Sequence, residues 1–203
     1  MLIIGIAGGS GSGKTTVVKK ITGYFSNCDV AVISQDSYYK DLSYLSFQER
    51  KKMNFDHPSA IEFSLLEEHL KQLKSGKAIE MPEYSYVTST RSSTTITIAP
   101  SKVVILEGIL IYTYKVIRDL LDIRIFVDAD PDDRLMRIIR RDVNQRGRSY
   151  DQALKHYERF VKPMHQQFIE PNKRYADIIV PQGGENRVAI DLIVSRIKHI
   201  LSE

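Results

Sequence analysis

The sequence predicts an α/β fold in which one parallel sheet is flanked by helices, and three observations support this fold class. Apolar runs of strand length alternate with segments whose apolar residues recur at helical spacing. The first apolar run leads into a glycine-rich loop and then into a helical pattern. Two β-rich runs between Pro82 and Pro100 indicate a hairpin that projects from the sheet.

The elements follow in the order expected for parallel strands joined by helices. Strands are predicted at residues 2–7, 30–33, 103–106, 123–127 and 178–180. Helices are predicted at residues 14–25, 64–75, 112–121, 131–143, 150–160 and 186–201. The hairpin, about residues 82–99, pairs residues 84–87 with residues 94–98. We find no repeat and no long linker, so residues 1–203 are predicted to form a single domain.

Positive charge is concentrated in one segment rather than spread over the chain. Residues 134–148 contain six arginines and one aspartate, so this segment accounts for the whole net charge of +4. Clustered arginines beside a glycine-rich phosphate loop favour the binding of nucleotide phosphates. We therefore expect no nucleic-acid partner.

Composition favours a soluble, cytoplasmic protein. The longest apolar runs are far shorter than the roughly 20 residues of a membrane-spanning helix, so no membrane partner is expected. The apolar run at residues 2–7 continues into the glycine-rich loop, which indicates a strand rather than a signal peptide. The single cysteine, Cys28, excludes an internal disulfide and is expected to pack near the start of a strand.

A phosphate-binding loop is the most specific motif in the sequence. Residues 8–15 fit the pattern G-x-x-x-x-G-K-[ST] between a predicted strand and a predicted helix. Lys14 is predicted to neutralise the β- and γ-phosphates, and the Thr15 hydroxyl to ligate Mg²⁺. The predicted nucleotide-binding residues of this loop are Gly8, Gly9, Ser10, Gly11, Ser12, Gly13, Lys14, Thr15 and Thr16.

Three predicted strands end in or near an acidic residue, at the edge of the sheet where ligands bind in open parallel sheets. These residues are Asp36, Glu107 and Asp128. A carboxylate facing the phosphate loop could bind Mg²⁺ or accept a proton from an attacking hydroxyl. We expect that role for Asp36 and Glu107. Asp128 precedes Asp130-Pro131 and a helix, so we expect it to cap that helix.

The arginine-rich segment is interpreted as a lid, about residues 134–160. Small-molecule kinases must exclude water to avoid hydrolysing ATP, and mobile basic segments serve that purpose. We expect these arginines to lack partners until phosphates arrive. Motifs of GTP switches (Asn-Lys-x-Asp) and of protein kinases (His-Arg-Asp, Asp-Phe-Gly) are absent from the sequence.

Taken together, the motifs resemble those of the uridine–cytidine kinase family, which has the P-loop NTPase fold of nucleoside and nucleotide kinases. The resemblance extends nearly end to end, over residues 8–15, 35–39, 54–58, 82–86, 106–108, 141–142, 146–148 and 175–181. It implies transfer of the γ-phosphoryl of ATP, with GTP as an alternative donor, to the 5′-hydroxyl of uridine and cytidine, giving UMP and CMP in pyrimidine salvage. It also implies Mg²⁺ as cofactor and a homotetramer.

The resemblance also assigns roles to residues of this sequence. Asp36 would be the general base, Glu107 would hold Mg²⁺ with Thr15, and Arg141 would act with Lys14 on the phosphates. Arg146 and Glu185 would border the nucleotide, Glu185 within a loop at residues 182–186 beside the adenine. The nucleoside would be bound by Phe55, Asp56, Tyr84, Tyr86, Ser89, Arg148 and His156.

Three positions depart from the family pattern, all on the nucleoside side. Ser89 stands where the family usually has a histidine, Ile138 where an arginine is common, and His156 where a glutamine is usual. Kinase chemistry is unaffected by these changes, whereas pyrimidine selectivity is expected to be weaker. Two alternatives stay open: a kinase for another small hydroxyl compound, such as a sugar phosphate or pantothenate, and a non-catalytic nucleotide-binding regulator.

Overall fold

The sheet of the computed structural model, which describes residues 1–26 and 29–202, confirms the predicted fold class. Its five parallel strands lie in the order β2-β5-β1-β6-β7. They are β1 (Leu2–Ala7), β2 (Val30–Ser34), β5 (Val103–Gly108), β6 (Ile123–Val127) and β7 (Ile178–Val180). Strand order reverses beside β1, so a crevice opens at the carboxyl ends of β1, β5 and β6. Cys28 lies outside the described residues.

Helices cover both faces of this sheet, as the alternating pattern predicts. They are α1 (Lys14–Thr22), α2 (Phe47–Arg50), α3 (Phe63–Lys74), α4 (Lys115–Leu120), α5 (Pro131–Arg146), α6 (Tyr150–His156), α7 (Lys162–Met164) and α8 (Arg187–Ser202). Leu66, Leu70 and Leu73 of α3 are fully buried on one face. On the other face, α1 and α8 pack their apolar residues against β1 and β5. Burial of these apolar stripes is the main source of stability.

The projecting hairpin is present but longer than predicted. It pairs β3 (Ile79–Ser85) with β4 (Thr90–Ile98) as a separate two-stranded sheet. Pro82, predicted to flank the hairpin, lies inside β3, where the pairing register shifts between Pro82 and Tyr84. A proline has no N–H to donate, and a bulge on a two-stranded sheet accommodates it.

Two helical predictions are wrong at their boundaries. The helix predicted from residue 112 begins at Lys115, because Tyr112 turns inward and its hydroxyl donates to the carbonyl oxygens of Gly5 and Ile125, both at 2.9 Å. The helix that begins at Tyr150 continues beyond residue 160 through two π-helical turns, Tyr157–Val161 and His165–Ile169. π-turns leave no distinct periodicity in a sequence.

Within residues 1–26 and 29–202, no helix has the length and apolar character that crossing a membrane requires.

The buried hydrogen bonds of the Tyr112 hydroxyl are expected to make a measurable contribution to stability. Tyr112→Phe removes a buried group that joins β1 to β6, so the free energy of unfolding should fall by about 1–2 kcal/mol. Urea denaturation measures the loss. The matched control is Tyr24→Phe, since Tyr24 is 55% exposed and its substitution should change stability by less than about 0.5 kcal/mol. Equal effects of both substitutions would contradict the assignment.

Candidate active site

The phosphate loop joins β1 to α1 and curls in the way its glycines predict. Gly11 has φ 78° and Gly13 has φ 91°, both in the left-handed region that favours glycine. A Cβ atom on Gly11 would lie 2.6 Å from the carbonyl oxygen of Arg134, so this glycine also permits close contact with α5. Lys14 begins α1, and the N-terminal end of that helix favours negative charge.

Arginines of α5 lie directly over this loop. Arg141 Nη1 donates to Ser10 Oγ at 3.1 Å, and Arg137 Nη1 donates to the carbonyl oxygen of Gly11 at 3.2 Å. Three guanidinium groups also converge on Asp142, which is fully buried. The ion pairs are with Arg141 (3.0 Å), Arg146 (3.7 Å) and Arg148.

This charge cluster sets the protonation of Asp142 and corrects one prediction. Burial acts to raise the pKa of Asp142, but the three arginines outweigh it and hold that pKa below its ordinary value. The expectation that the arginines lack partners until phosphates arrive is wrong. A buried carboxylate already gathers Arg141, Arg146 and Arg148, which reduces their mutual repulsion.

A second loop covers the other side of the phosphate loop. Lys20 Nζ donates to the carbonyl oxygen of Gly184 at 2.6 Å. A Cβ atom on Gly184 would lie 2.4 Å from Thr16 Cγ2, so glycine is required for this close packing. Glu185 belongs to the same short 3₁₀ turn, Gly183–Glu185, and is exposed. Residues 182–186 therefore border the phosphate loop, as the predicted adenine site requires.

The two predicted acidic residues lie on neighbouring strand ends and share one hydroxyl. Ser34 Oγ donates to Glu107 Oε1 at 3.3 Å and accepts from the backbone N–H of Asp36 at 3.3 Å. Glu107 is 8% exposed, and burial raises the pKa of its carboxyl, while Lys14 acts in the opposite direction. The Glu107 carboxylate therefore lies near Lys14 of the phosphate loop, and Asp36 is joined to Glu107 through Ser34.

The surroundings of Glu107 fit a magnesium ion. Its Oε2 atom is buried and has no hydrogen-bond partner among the described residues, so it is available to a ligand. No group of three or more His, Cys, Asp or Glu side chains in the described part of the chain could hold a metal by itself. Mg²⁺ at kinase sites is typically held by one or two protein oxygens together with substrate phosphates. Glu107 and the hydroxyl of Thr15 are suitable donors.

Asp36 is held at the edge of an aromatic cluster. The hydroxyl of Tyr86 donates to Asp36 Oδ2. The guanidinium of Arg146 lies 4.6 Å from the centre of the Tyr86 ring, a cation–π contact. Burial and the neighbouring Asp36 carboxylate raise the pKa of Tyr86, so this hydroxyl remains a neutral donor.

Beside Asp36, four aromatic rings pack together and form an aromatic wall. Tyr84 lies 4.9 Å from Tyr39, 5.4 Å from Tyr86 and 6.2 Å from Phe55, measured between ring centres. These separations are typical of edge-to-face and tilted aromatic pairs. A wall of this kind suits a flat heterocyclic base.

Asp56 contributes a partly buried carboxylate beside this aromatic wall. Burial raises its pKa to about 6, Arg141 opposes the shift, and Asp36 adds to it. Asp56 follows Phe55 of the aromatic wall directly in the chain. Its carboxylate is a suitable acceptor for sugar hydroxyls.

The three departures from the family pattern have different surroundings. Ser89 lies in the hairpin turn with φ 54°, in the left-handed region that few residues other than glycine adopt. Burial, with a smaller effect of Arg148, lowers the pKa of His156 to about 4, so the imidazole is neutral at physiological pH. Ile138 is fully buried against Tyr157 in a small core of the lid. Ile138 therefore stabilises the lid rather than lining the site.

Comparison with known proteins decides the family. The model of the phosphoribulokinase/uridine kinase family matches residues 3–189. The chain is 52% identical over 202 residues to the uridine kinase of Halalkalibacterium halodurans, covering 100% of this chain and 96% of the relative. It is 51% identical over 201 residues to the uridine kinase of Staphylococcus aureus strain JH9, covering 99% and 97%. The chain belongs to the phosphoribulokinase/uridine kinase family.

Solved structures agree with this family fold. D-glycerate 3-kinase from Cryptococcus neoformans superposes with a TM-score of 0.66 at 16% identity, covering 89% of this chain and 86% of that one. Phosphoribulokinase from Rhodobacter spheroides gives 0.64 at 15% identity, covering 89% and 69%. Identities this low establish the fold alone. Membership of a family of kinases confirms the predicted resemblance and the assignment as a phosphotransferase.

One acidic residue of this kinase does not do what its position in the sequence suggests. Asp128 was expected to cap α5, but the cap position is Asp130, whose side chain makes no capping bond. Asp128 instead accepts a hydrogen bond from Lys173. A lysine far along the chain is a stronger partner for this carboxylate than the helix end.

Three residues at the site were missed by reasoning from sequence. Tyr39 packs against Phe55 and Tyr84, Arg137 reaches Gly11, and His165 lies against Gly9. Arg137 was detectable, because its place in the arginine-rich segment already implied a role near phosphate. Tyr39 lies in the segment 35–39 that carries the family resemblance, which was a usable signal, whereas His165 carries no motif that separates it from an ordinary core residue.

The buried Asp142 yields a prediction about stability and pH. Asp142→Asn should lower the free energy of unfolding at pH 7 by about 3 kcal/mol, because three arginines lose their common partner. The folded-state pKa of Asp142 is lowered, so its contribution is present at neutral pH and is lost as the pH falls below about 4. Urea unfolding from pH 7 to pH 3 should therefore show a shrinking gap between wild type and variant.

The matched control for this prediction is Asp133→Asn on the same helix. Asp133 pairs with Arg137 at 3.7 Å, and both side chains are substantially exposed. Exposed pairs contribute little, so this substitution should cost less than about 1 kcal/mol at every pH. A gap for Asp142→Asn that does not change with pH would contradict the role of its charge.

Proposed function

We propose that this protein transfers the γ-phosphoryl group of ATP to the 5′-hydroxyl of uridine and cytidine, giving UMP and CMP. The observation that carries this proposal is that Asp36 is joined through Ser34 to Glu107, which lies near Lys14, and is bonded to Tyr86 of the aromatic wall. Relatives at 51–52% identity over the whole chain are uridine kinases, which supports the same substrate class. A kinase for a sugar phosphate or pantothenate would need no such wall.

The donor nucleotide occupies the phosphate-loop end of this arrangement. Backbone N–H groups of the loop and the N-terminal end of α1 bind the β-phosphate, and Lys14 neutralises the transferred group. Arg141, fixed by Ser10 and Asp142, adds a second cation at the phosphates. Residues 182–186 border the adenine. We propose ATP as the donor, with GTP as the alternative that competition assays distinguish.

The acceptor nucleoside occupies the aromatic end. Its base stacks against Phe55, Tyr84 and Tyr86, and its ribose hydroxyls donate to Asp56. Ser89, Arg148 and His156 surround this end. Because the Ser89 side chain is shorter than that of a histidine, it cannot make the same hydrogen bond to the edge of the base, and discrimination among pyrimidines is weaker.

Transfer requires a proton acceptor and compensation of negative charge. Asp36 accepts the proton of the 5′-hydroxyl as that oxygen forms its bond to the γ-phosphorus and the bond to the ADP oxygen breaks. Lys14 and Arg141 stabilise the charge on the transferred phosphoryl group. Bound Mg²⁺, held by Thr15 and Glu107, would supply further positive charge at the phosphates. The Asp142 cluster keeps the arginines aligned.

A cytoplasmic location and assembly as a homotetramer complete the proposal. Both come from the uridine kinase resemblance. Size-exclusion chromatography with light scattering tests the oligomeric state.

The deciding experiment is ADP release against a panel of acceptors. With ATP and Mg²⁺, uridine and cytidine should stimulate release strongly, whereas deoxyribonucleosides, sugar phosphates, pantothenate and small alcohols should not. Product analysis should find UMP and CMP. Stimulation by another acceptor alone would exclude the substrate assignment, and ATP hydrolysis without any phosphorylated acceptor would favour a regulatory nucleotide-binding protein.

Substitution of the general base gives the sharpest mechanistic prediction. Asp36→Asn should lower kcat for uridine about 10²-fold or more, because the acceptor hydroxyl loses its proton acceptor, while ATP affinity stays nearly the same. Stopped-flow or steady-state assays measure kcat, and titration with a fluorescent ATP analogue measures affinity. The Lys14→Ala control should abolish transfer and also weaken nucleotide binding. Turnover near normal in Asp36→Asn would remove Asp36 from the mechanism.

The ionised carboxylate of Asp56 is expected to have two opposite effects: it lowers the stability of the fold and it strengthens nucleoside binding. Its pKa is raised to about 6, so ionised Asp56 lowers stability progressively as the pH rises from about 4 to about 6. Asp56→Asn should therefore unfold at a higher urea concentration at pH 7.5. The same change should lower kcat/KM for uridine about tenfold or more at that pH, because the ribose hydroxyls lose a carboxylate acceptor.

The pH profile separates these two effects of Asp56. In wild type, kcat/KM for uridine should fall below about pH 6 as Asp56 takes up a proton. In Asp56→Asn this step should disappear. A variant that is no more stable than wild type, or that keeps the step near pH 6, would contradict the assignment.

A further inference from the structure

One carboxylate oxygen of Asp36 already has a donor in this structure. The hydroxyl of Tyr86 donates to Asp36 Oδ2, so one of the two oxygens that could accept a proton from an acceptor hydroxyl is occupied. A carboxylate bonded in this way is a poorer acceptor for any other proton donor. Tyr86 therefore contacts the proposed general base as well as lining the base pocket.

The position of the Tyr86 ring is set by contacts that do not involve its hydroxyl. The Tyr84 and Tyr86 rings pack edge to face with 5.4 Å between their centres. The guanidinium of Arg146 lies over the Tyr86 ring, 4.6 Å from the ring centre. The turn that follows is tied down at two points: Arg50 Nε donates to the carbonyl oxygen of Thr88 at 3.0 Å, and Thr90 Oγ1 donates to Asp41 Oδ1 at 2.7 Å. Packing thus directs the hydroxyl at Asp36.

The hydrogen bond between Tyr86 and Asp36 can also break without disturbing the rest of the fold. Tyr86 is 47% exposed, so its side chain can swing outwards without opening the hydrophobic core. Arg146 is shared between the Tyr86 ring and Asp142, which links the tyrosine to the lid. A nucleoside that binds against the aromatic wall brings its own hydroxyl to Asp36 and replaces that of Tyr86.

Without nucleoside, Asp36 would otherwise catalyse an unproductive reaction. Water beside the carboxylate would form a bond to the γ-phosphorus while the bond to the ADP oxygen breaks, and its proton would pass to Asp36. The products are ADP and inorganic phosphate. The Tyr86 hydroxyl keeps this proton-accepting position occupied by a neutral donor that stays protonated, since burial raises its pKa.

We propose that Tyr86 is a positioning residue that occupies the general base until a nucleoside arrives, and thereby suppresses hydrolysis of ATP. This inference rests on the proposed function, because it requires Asp36 to be the base of a kinase. The Tyr86 hydroxyl thereby couples cleavage of ATP to the presence of a nucleoside. This role is separate from the stacking of the Tyr86 ring on the base.

The test is ADP release in the absence of nucleoside. Tyr86→Phe keeps the ring and removes the hydroxyl, so the nucleoside-free rate should rise about tenfold relative to wild type. KM for uridine should also fall severalfold, since the acceptor hydroxyl no longer displaces a competitor. A role confined to packing would not raise hydrolysis. Tyr86→Leu, which also lacks the hydroxyl, should show the same rise in nucleoside-free hydrolysis, whereas its KM for uridine should not fall because the stacking ring is lost.

Two controls locate the effect at Asp36. The double variant Asp36→Asn/Tyr86→Phe should return nucleoside-free hydrolysis to the wild-type rate, because the added hydrolysis depends on the carboxylate. Tyr150→Phe is the matched control at the lid, since Tyr150 is 67% exposed, and it should leave nucleoside-free hydrolysis unchanged.

The outcomes separate this inference from the proposed function. A nucleoside-free rate that stays at the wild-type level in Tyr86→Phe, or a rise that persists in the double variant, overturns the role of Tyr86. In either case uridine-dependent ADP release by wild type would leave the proposed function intact. Wild type that uridine does not stimulate overturns the proposed function and this inference together.

Discussion

The register of three parallel strands fixes the geometry of the whole site. Glu107 of β5 lies opposite Ile6 of β1 on one side and Ser34 of β2 on the other. This pairing brings the start of the phosphate loop, a buried carboxylate and the residues that lead to Asp36 to one edge of the sheet. A shift of β5 by one residue would turn Glu107 to the opposite face and separate it from Lys14.

Around this edge, the protein stabilises charges in two different ways. Glu107 and Asp56 are carboxylates whose pKa values burial raises, so the fold holds them at a cost that ligand binding offsets. Asp142 is also buried, but its three arginines lower its pKa and make it a structural centre of the lid. The first arrangement suits the proposed binding of a ligand. The second fixes the positions of the arginines over the phosphate loop.

The hairpin contributes two of the rings of the aromatic wall, Tyr84 and Tyr86. It forms its own two-stranded sheet, and its Tyr84 closes against Tyr39 and Phe55 from the segment after β2. Tyr86 then lies between this aromatic wall and the lid through its contact with Arg146. Base pocket, proton acceptor and lid are therefore adjacent, which favours coupling of nucleoside binding to phosphoryl transfer.

By itself, the sequence determined the parallel α/β fold, the phosphate loop and the acids at the strand ends, because each depends on local periodicity or on a motif of fixed spacing. The tertiary structure alone decided which partners these groups have. Asp128 pairs with Lys173 rather than capping α5, Asp142 gathers the arginines, and Tyr86 reaches Asp36, 50 positions earlier in the chain. Contacts between distant segments arise from packing in three dimensions, and no local pattern records them.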